Sequence, residues 1–231
     1  MRARLASGLL IVSMFAVNGC GGSKPDPTTL LRKAKATVDR TQSLHFHLTS
    51  ASVQGTGPLI SGGDGNAKRP DGFEGSLDVG FSGLQLRIQV VSTGGVFYAM
   101  LPASSVFTRA DPSQYGFGDP GTLLDPNKGL SSLLLLCKSP ATGDSDRYNG
   151  EELDEVSCSL PGAAVARLLT SADPAQPVAA TFGIDPSSYQ MRRVVLTGPF
   201  FSKSAPSTFT VILDNYGENV TVTAPPVAGG T

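Results

Sequence analysis

The chain is poor in charge and poor in the residues that do chemistry. Charged residues make up 16% of its 231 positions, and lysine and arginine form no run. That excludes the basic face on which nucleic-acid binding depends. There are two histidines, three cysteines and no tryptophan. Gly-x-Ser-x-Gly, His-Glu-x-x-His, a phosphate-cradling loop and Cys-x-x-Cys are all missing, and with them the signatures of acyl transfer, metal hydrolysis, nucleotide hydrolysis and dithiol exchange. The expectation is a non-enzyme without a cofactor. Past the first 20 residues no apolar run nears the about 20 residues that span a bilayer. Against these lacks stand 27 glycines and 17 prolines, a composition that favours strands and turns over helices.

The N-terminus carries the strongest signal. Arg2 and Arg4 precede an uncharged apolar stretch over residues 5–17, and Val17-Asn18-Gly19-Cys20 follows. A basic start, a short apolar core and a small residue before a cysteine make a lipoprotein signal, with residues 1–19 removed and Cys20 acylated. An ordinary secretory signal with a chance cysteine is the alternative. Residues 20–27 read as a lipidated tether, 28–226 as one domain and 227–231 as a tail. The anchor would hold the domain on the extracytoplasmic face of the cell membrane, since two or more acyl chains give stable attachment. The mature chain has net charge −3 once Arg2 and Arg4 are gone.

With Cys20 taken, Cys137 and Cys158 remain as an even pair in an oxidising compartment, either bridged or as two buried thiols. His45 and His47, at i and i+2 of an expected strand, share a face that a metal could use, but no third histidine or carboxylate cluster in the sequence completes a site. Asp144, Asp146 and Glu155 fall at positions 1, 3 and 12 of a calcium loop. Its glycine comes one residue late, at Gly150, and Tyr148 stands at position 5, so no metal is expected. Asn219-Val220-Thr221 matches a glycosylation acceptor but reads as part of a strand.

Along the chain, residues 28–44 read as a helix, capped by Thr28 or Thr29, with Leu30, Leu31, Ala34, Val38 and Leu44 on one stripe. Residues 45–53 alternate as a strand. The glycine-rich stretch 55–69 reads as loop. Strands follow at 73–79, 84–91 and 96–101, then a turn-rich connection over 103–121. Asp125 and Pro126 lead into an expected buried helix over 130–137. After a polar loop at 141–150, the reading is a strand at 153–160, a short helix from Pro161, and strands at 178–184, 191–196, 207–213 and 220–223, the last two a hairpin about Asn215-Tyr216-Gly217. The class is α+β with a mainly antiparallel sheet.

Two stretches carry a family resemblance: Leu124-Asp125-Pro126-Asn127-Lys128-Gly129-Leu130, and the Tyr-Gly-Glu-x-Val-x-Val-Thr-x-Pro-Pro run from Tyr216 to Pro226. With the lipoprotein signal, a helix and a β-meander before them, the chain resembles the LppX/LprAFG lipoproteins of mycobacteria over nearly its whole mature length. Tyr216 and Phe182 stand where relatives often carry tryptophan. The resemblance implies a half-open antiparallel β-barrel with helices packed on its concave side, like the lipoprotein carriers LolA and LolB. It also implies an apolar cavity for acylated lipids or glycolipids bound for the outer envelope, and a membrane transporter as a candidate partner.

On the residues' own pattern, Leu84, Leu86, Ile88 and Val90 form one face at period two, and Leu133 to Leu136 are apolar all round. Leu84, Leu86, Ile88, Val90, Leu133, Leu134 and Leu136 are therefore the cavity-lining candidates. The alternative is that they pack on one another in a filled core, in a scaffold or interaction lipoprotein of the envelope. A hydrolase built from scattered carboxylates has no paired motif here.

Overall fold

The computed structural model describes residues 25–52, 59–81, 83–202 and 205–227. The expected leader, Cys20, most of the tether, the end of the first strand at Val53 and the last residues of the tail lie outside these.

Helix α1 spans Pro27–Arg40. The Asp26 carboxylate caps it, accepting a bond from the Thr29 N–H at 2.8 Å. Bonding from the Thr29 side chain and then its N–H holds the Asp26 pKa below the usual carboxylate range. The cap is therefore Asp26 rather than either threonine, with Pro27 preset for the first turn. Leu30, Leu31, Ala34 and Val38 form the buried stripe. The helix stops at the extended Thr41, so Leu44 belongs to the next strand.

Twelve strands follow among the described residues: β1 Ser43–Ala51, β2 Leu59–Lys68, β3 Gly72–Phe81, β4 Leu84–Thr93, β5 Val96–Met100, β6 Thr108–Arg109, β7 Lys138–Thr142, β8 Asp146–Tyr148, β9 Glu151–Leu160, β10 Val178–Ile184, β11 Met191–Gly198 and β12 Ser207–Asp214. Their order is β6-β5-β4-β3-β2-β1-β12-β11-β10-β9-β7, with β8 on β9, and every named ladder is antiparallel. Strand β1 pairs with β12, so the chain's two halves join at mid-sheet, and among the described residues β6 and β7 stand as the two ends. This is a half-open antiparallel barrel. Leu44, Phe46 and Leu48 from β1 and Phe209, Val211 and Leu213 from β12 turn to its inner face, where α1 and the irregular segments pack.

Four expectations need correcting. The stretch 59–68 is a full central strand, not loop. Its inward glycines leave room for aromatic rings from both sides, a packing reason that strand propensity hides. The leucine run is a 3-10 helix, Leu130–Leu136, beginning at Gly129. Asp125 does not cap it. Its Oδ1 instead accepts from the N–H groups of Asn127 and Lys128 at 2.8 and 2.9 Å, closing a turn ahead of it. The polar stretch after Cys137 contributes β7 and β8. Residues 220–223 make no strand: after Asn215 and Gly217, with φ of 48° and 81°, the chain leaves the sheet. There Ser43 Oγ and Lys68 Nζ donate to the carbonyls of Glu218 and Val220, satisfying backbone that a ladder would otherwise have to pair. Asn219 is thus exposed on a crossing segment, not in a strand.

Candidate functional site

Beneath the middle of the sheet is an apolar pocket of about 100 Å³. Its floor is the inner face of β1, β2, β3, β11 and β12, with Phe46, Leu48, Phe73, Leu77 and Val211 exposed to it. Its cover is Phe117, Leu123, Leu130 and Leu168, which no regular strand holds. The rings of Phe46 and Phe73 meet edge-on at 5.7 Å, as do Phe97 and Phe117. Of the described residues on the wall, Asp119 alone is charged. Its Oδ1 accepts from Ser92 Oγ at 2.5 Å and from Gly121 N–H at 2.9 Å, so it faces the pocket edge already bonded.

The Leu-Asp-Pro-x-x-Gly-Leu stretch positions this cover. Gly129 donates to Asp125 O at 2.8 Å, and Leu130 donates to Leu123 O at 3.0 Å. A Cβ at Gly129 would sit 2.2 Å from Leu123 O, so only glycine allows this doubling back. Ser131 Oγ donates to Asp39 Oδ1 at 2.6 Å, and Lys35 Nζ bonds both Asp39 Oδ2 and Pro126 O at 2.7 Å. The cover is thereby latched to α1.

Of the residues expected to line a cavity, Ile88, Val90, Leu133 and Leu134 are buried in the core, and Leu86 is half-buried. Leu84 is 64% exposed and Leu136 37%. The pocket wall is made by other residues. Strand β4 lies toward the sheet's edge, where Pro120–Thr122 packs straight onto it: an added Cβ at Gly121 would meet Ser92 Oγ at 2.8 Å. The element that carries Leu133 and Leu134 packs against α1, and of its leucines Leu130 is the one on the pocket wall. The alternation read over residues 45–53 places Phe46 and Leu48 on one face, whereas Phe209 and Val211 lie in a stretch read only as a strand. Nothing local marked Phe117, Leu123 or Leu168.

Cys137 and Cys158 are bridged, with Cα atoms 5.4 Å apart. The bridge ties the end of the leucine element to β9. Closing a loop of sequence separation 21 contributes about 3 kcal/mol in the chain-entropy model. Cys137→Ala with Cys158→Ala should therefore lower the calorimetric melting temperature by about 6–12 °C in a chain of this size.

The outer face carries a second cluster. His45 Nδ1 lies 2.8 Å from Asp214 Oδ1 and its Nε2 3.3 Å from Asp64 Oδ1, while His47 Nδ1 lies 3.2 Å from Asp64 Oδ2. The two carboxylates that the linear sequence kept apart are brought to the histidines by β2 and β12. Among the described residues no group of three or more such side chains is arranged to hold a metal. Partial burial opposes protonation of His45, but the bonds to Asp214 and Asp64 outweigh it and raise its pKa. Asp64 is lowered, its bonds to His45 and His47 overcoming burial. The raised histidine stabilises the fold below its unfolded pKa of about 6.5, and this is lost as pH rises through the folded value. The lowered aspartate stabilises above about 3.8, and this is lost on acidification. Melting temperature should thus be higher near pH 5.5 than near pH 8, and His45→Gln should shrink that difference.

Asp146 and Glu155 both bind the guanidinium of Arg193, the former at 2.5 Å, and this sets their geometry.

The family model described as LppX_LprAFG lipoprotein matches residues 26–222. The protein named lipoarabinomannan carrier protein LprG of Mycobacterium tuberculosis is 26% identical over 233 residues, covering 94% of this chain and 92% of its own. That of Mycobacteroides abscessus is 32% identical over 146 residues, covering 58% and 60%. Among solved structures, LprF from Mycobacterium bovis superposes with a TM-score of 0.73 at 16% identity, over 87% of this chain and 98% of that one. LppX from Mycobacterium tuberculosis gives 0.62 at 14%, over 87% and 100%.

Proposed function

The chain belongs to the LppX_LprAFG lipoprotein family, and from that premise we propose that it is a membrane-anchored, non-enzymatic carrier of acylated lipids or glycolipids. It takes a lipid at the outer face of the plasma membrane, shields the acyl chains beneath its sheet and passes the lipid toward the outer envelope. Cys20, outside the described residues, is the acylated anchor. Residues 28–226 form the single lipid-binding domain. The observation that carries the reading is the pocket between sheet and cover, apolar except for an already bonded Asp119. Relatives named as lipoarabinomannan carriers point to a glycolipid as its occupant.

Each methylene removed from water contributes about 0.8 kcal/mol, so chain length alone gives tight binding and little discrimination among headgroups. The pocket's roughly 100 Å³ is below the about 300 Å³ at which ligand sites begin. Loading therefore requires the cover to lift, with Phe117, Leu123 and Leu130 moving from β1 and β12. The same small volume favours the rival reading of a filled-core scaffold. Native mass spectrometry with lipid extraction, on unacylated protein from a related host, separates the two. Near-stoichiometric multi-acyl lipid supports the carrier; a clean apo mass with no uptake of added glycolipid supports the scaffold.

A further inference from the structure

The leucine element Leu130–Leu136 has two ends of different character. Leu130 is on the pocket wall, yet Leu135 is 55% exposed and Leu136 37%. Two adjacent exposed leucines at the end of a stiff element are costly in water, and the bridge at Cys137 ties the residue after them to β9. They share a shallow surface groove with Lys35, Asn127, Ser132 and Arg167. Lys35 is engaged by Asp39, but Arg167 and the neighbouring Lys138 are exposed. No acidic residue occurs between Pro126 and Gly143, nor between Leu160 and Ala172. The surroundings are thus apolar at the tip and positive at the rim.

The anchor points the same way. The carbonyl of Pro25 lies 3.4 Å from Thr142 Oγ1, at the far end of the strand that starts just after Leu136 and Cys137. Four residues lie between Cys20 and Pro25, and the five Cα–Cα steps reach about 18 Å when extended. A lipid on Cys20 would keep Pro25 within that distance of the bilayer, and the leucines lie one five-residue strand further on.

We propose that Leu135 and Leu136, rimmed by Lys138 and Arg167, are the surface with which the domain docks onto an anionic bilayer. Docking there places the membrane about 12 Å from the pocket wall, the length of one 3-10 element of this size. Insertion of the two leucines also pulls on Leu130, the residue by which the element closes the pocket. This rests on the carrier reading only for its purpose; the docking itself is a property of the surface.

The absence of tryptophan supplies the test. Unacylated protein without residues 1–19 and with Cys20→Ser keeps every described element. In it, Leu135→Trp provides a single indole, and Leu84→Trp is the control at the exposed leucine that opens β4. With phosphatidylglycerol-containing vesicles, emission from the Leu135→Trp protein should shift to the blue and be quenched by brominated acyl chains, while emission from the Leu84→Trp protein stays unchanged. Leu135→Asp with Leu136→Asp should weaken vesicle co-sedimentation by roughly tenfold or more. The same double variant should still take up lipid from detergent micelles by native mass spectrometry. Equal quenching of the two indoles, or none in the Leu135→Trp protein, overturns the docking surface even if lipid uptake is intact. A blue shift that appears without vesicles and grows with protein concentration overturns it in favour of a second copy of the chain. Docking with no lipid uptake in any variant upholds the surface and defeats the carrier reading.

Discussion

Leu48→Trp should abolish lipid uptake and leave a cooperatively folded protein. Leu48 and Val211 face each other directly across β1 and β12, the pair that joins the two halves of the sheet, and both are on the pocket floor. An indole at either position projects into the space the cover leaves open, about 100 Å³. Overpacking a filled core costs about 1–3 kcal/mol, but here the added volume enters a void, so the cost should fall at or below the lower end. Ile88→Ala is the complementary change. Ile88 is fully buried but off the pocket wall, so its truncation should cost about 2–5 kcal/mol and spare uptake. Native mass spectrometry after incubation with an acylated glycolipid reads the first property, and urea unfolding the second. If Leu48→Trp still loads lipid, the acyl chains lie elsewhere.

This pair of variants also shows what the sequence could reveal. Ile88 and Val90 were legible as a buried face because period two is a local signal, and the structure buries them. Which buried face meets the pocket depends on where the irregular cover crosses the sheet. That crossing is set by Gly129 doubling back on Leu123, and then by Ser131 bonding Asp39 and Lys35 bonding Pro126 O, two contacts 92 and 91 residues apart in sequence. No window of the chain contains them. The mainly antiparallel sheet was readable from strand spacing, and the half-open barrel only through the resemblance carried by the two family stretches. Misreadings arose where glycine or proline signals met tertiary packing: β2 looked like loop because Gly62, Gly63 and Gly65 fill its centre, and residues 220–223 looked like strand although the Val220 carbonyl is met by the Lys68 ammonium. His45 and His47 were visible as a pair, but Asp64 was assigned to a loop, so the cluster could not be assembled.

Gly65 and Gly75, facing each other at the centre of β2 and β3, should therefore prove far less replaceable than Gly62 of β2. Gly65 and Gly75 pair across the two strands, and Gly65 also pairs with Phe46 of β1. A Cβ at Gly75 would stand 2.2 Å from Asp64 O and 2.7 Å from Gly65 Cα, all backbone that cannot rotate away. At Gly65 it would meet Glu74 O at 2.4 Å and the Phe73 ring at 2.9 Å. Phe46 and Phe73 belong to strands that are not neighbours, so their edge-on contact is made over β2, and it is possible because Gly65 puts nothing between them. Alanine gains about 0.5–1 kcal/mol over glycine from the unfolded chain, which is too little to offset a forced strand shift. Gly75→Ala should lose about 3 kcal/mol, at the top of the overpacking range, and Gly75→Val more. Gly62→Ala, where a Cβ would meet the Asp78 carboxylate at 3.2 Å and Leu48 O at 3.3 Å, should lose only about 1 kcal/mol, because a shift of a few tenths of an ångström relieves both contacts. Urea midpoints with an unchanged slope would report these values. Equal losses at Gly62 and Gly75 would mean that backbone flexibility, not ring packing over the pocket floor, is what β2 requires.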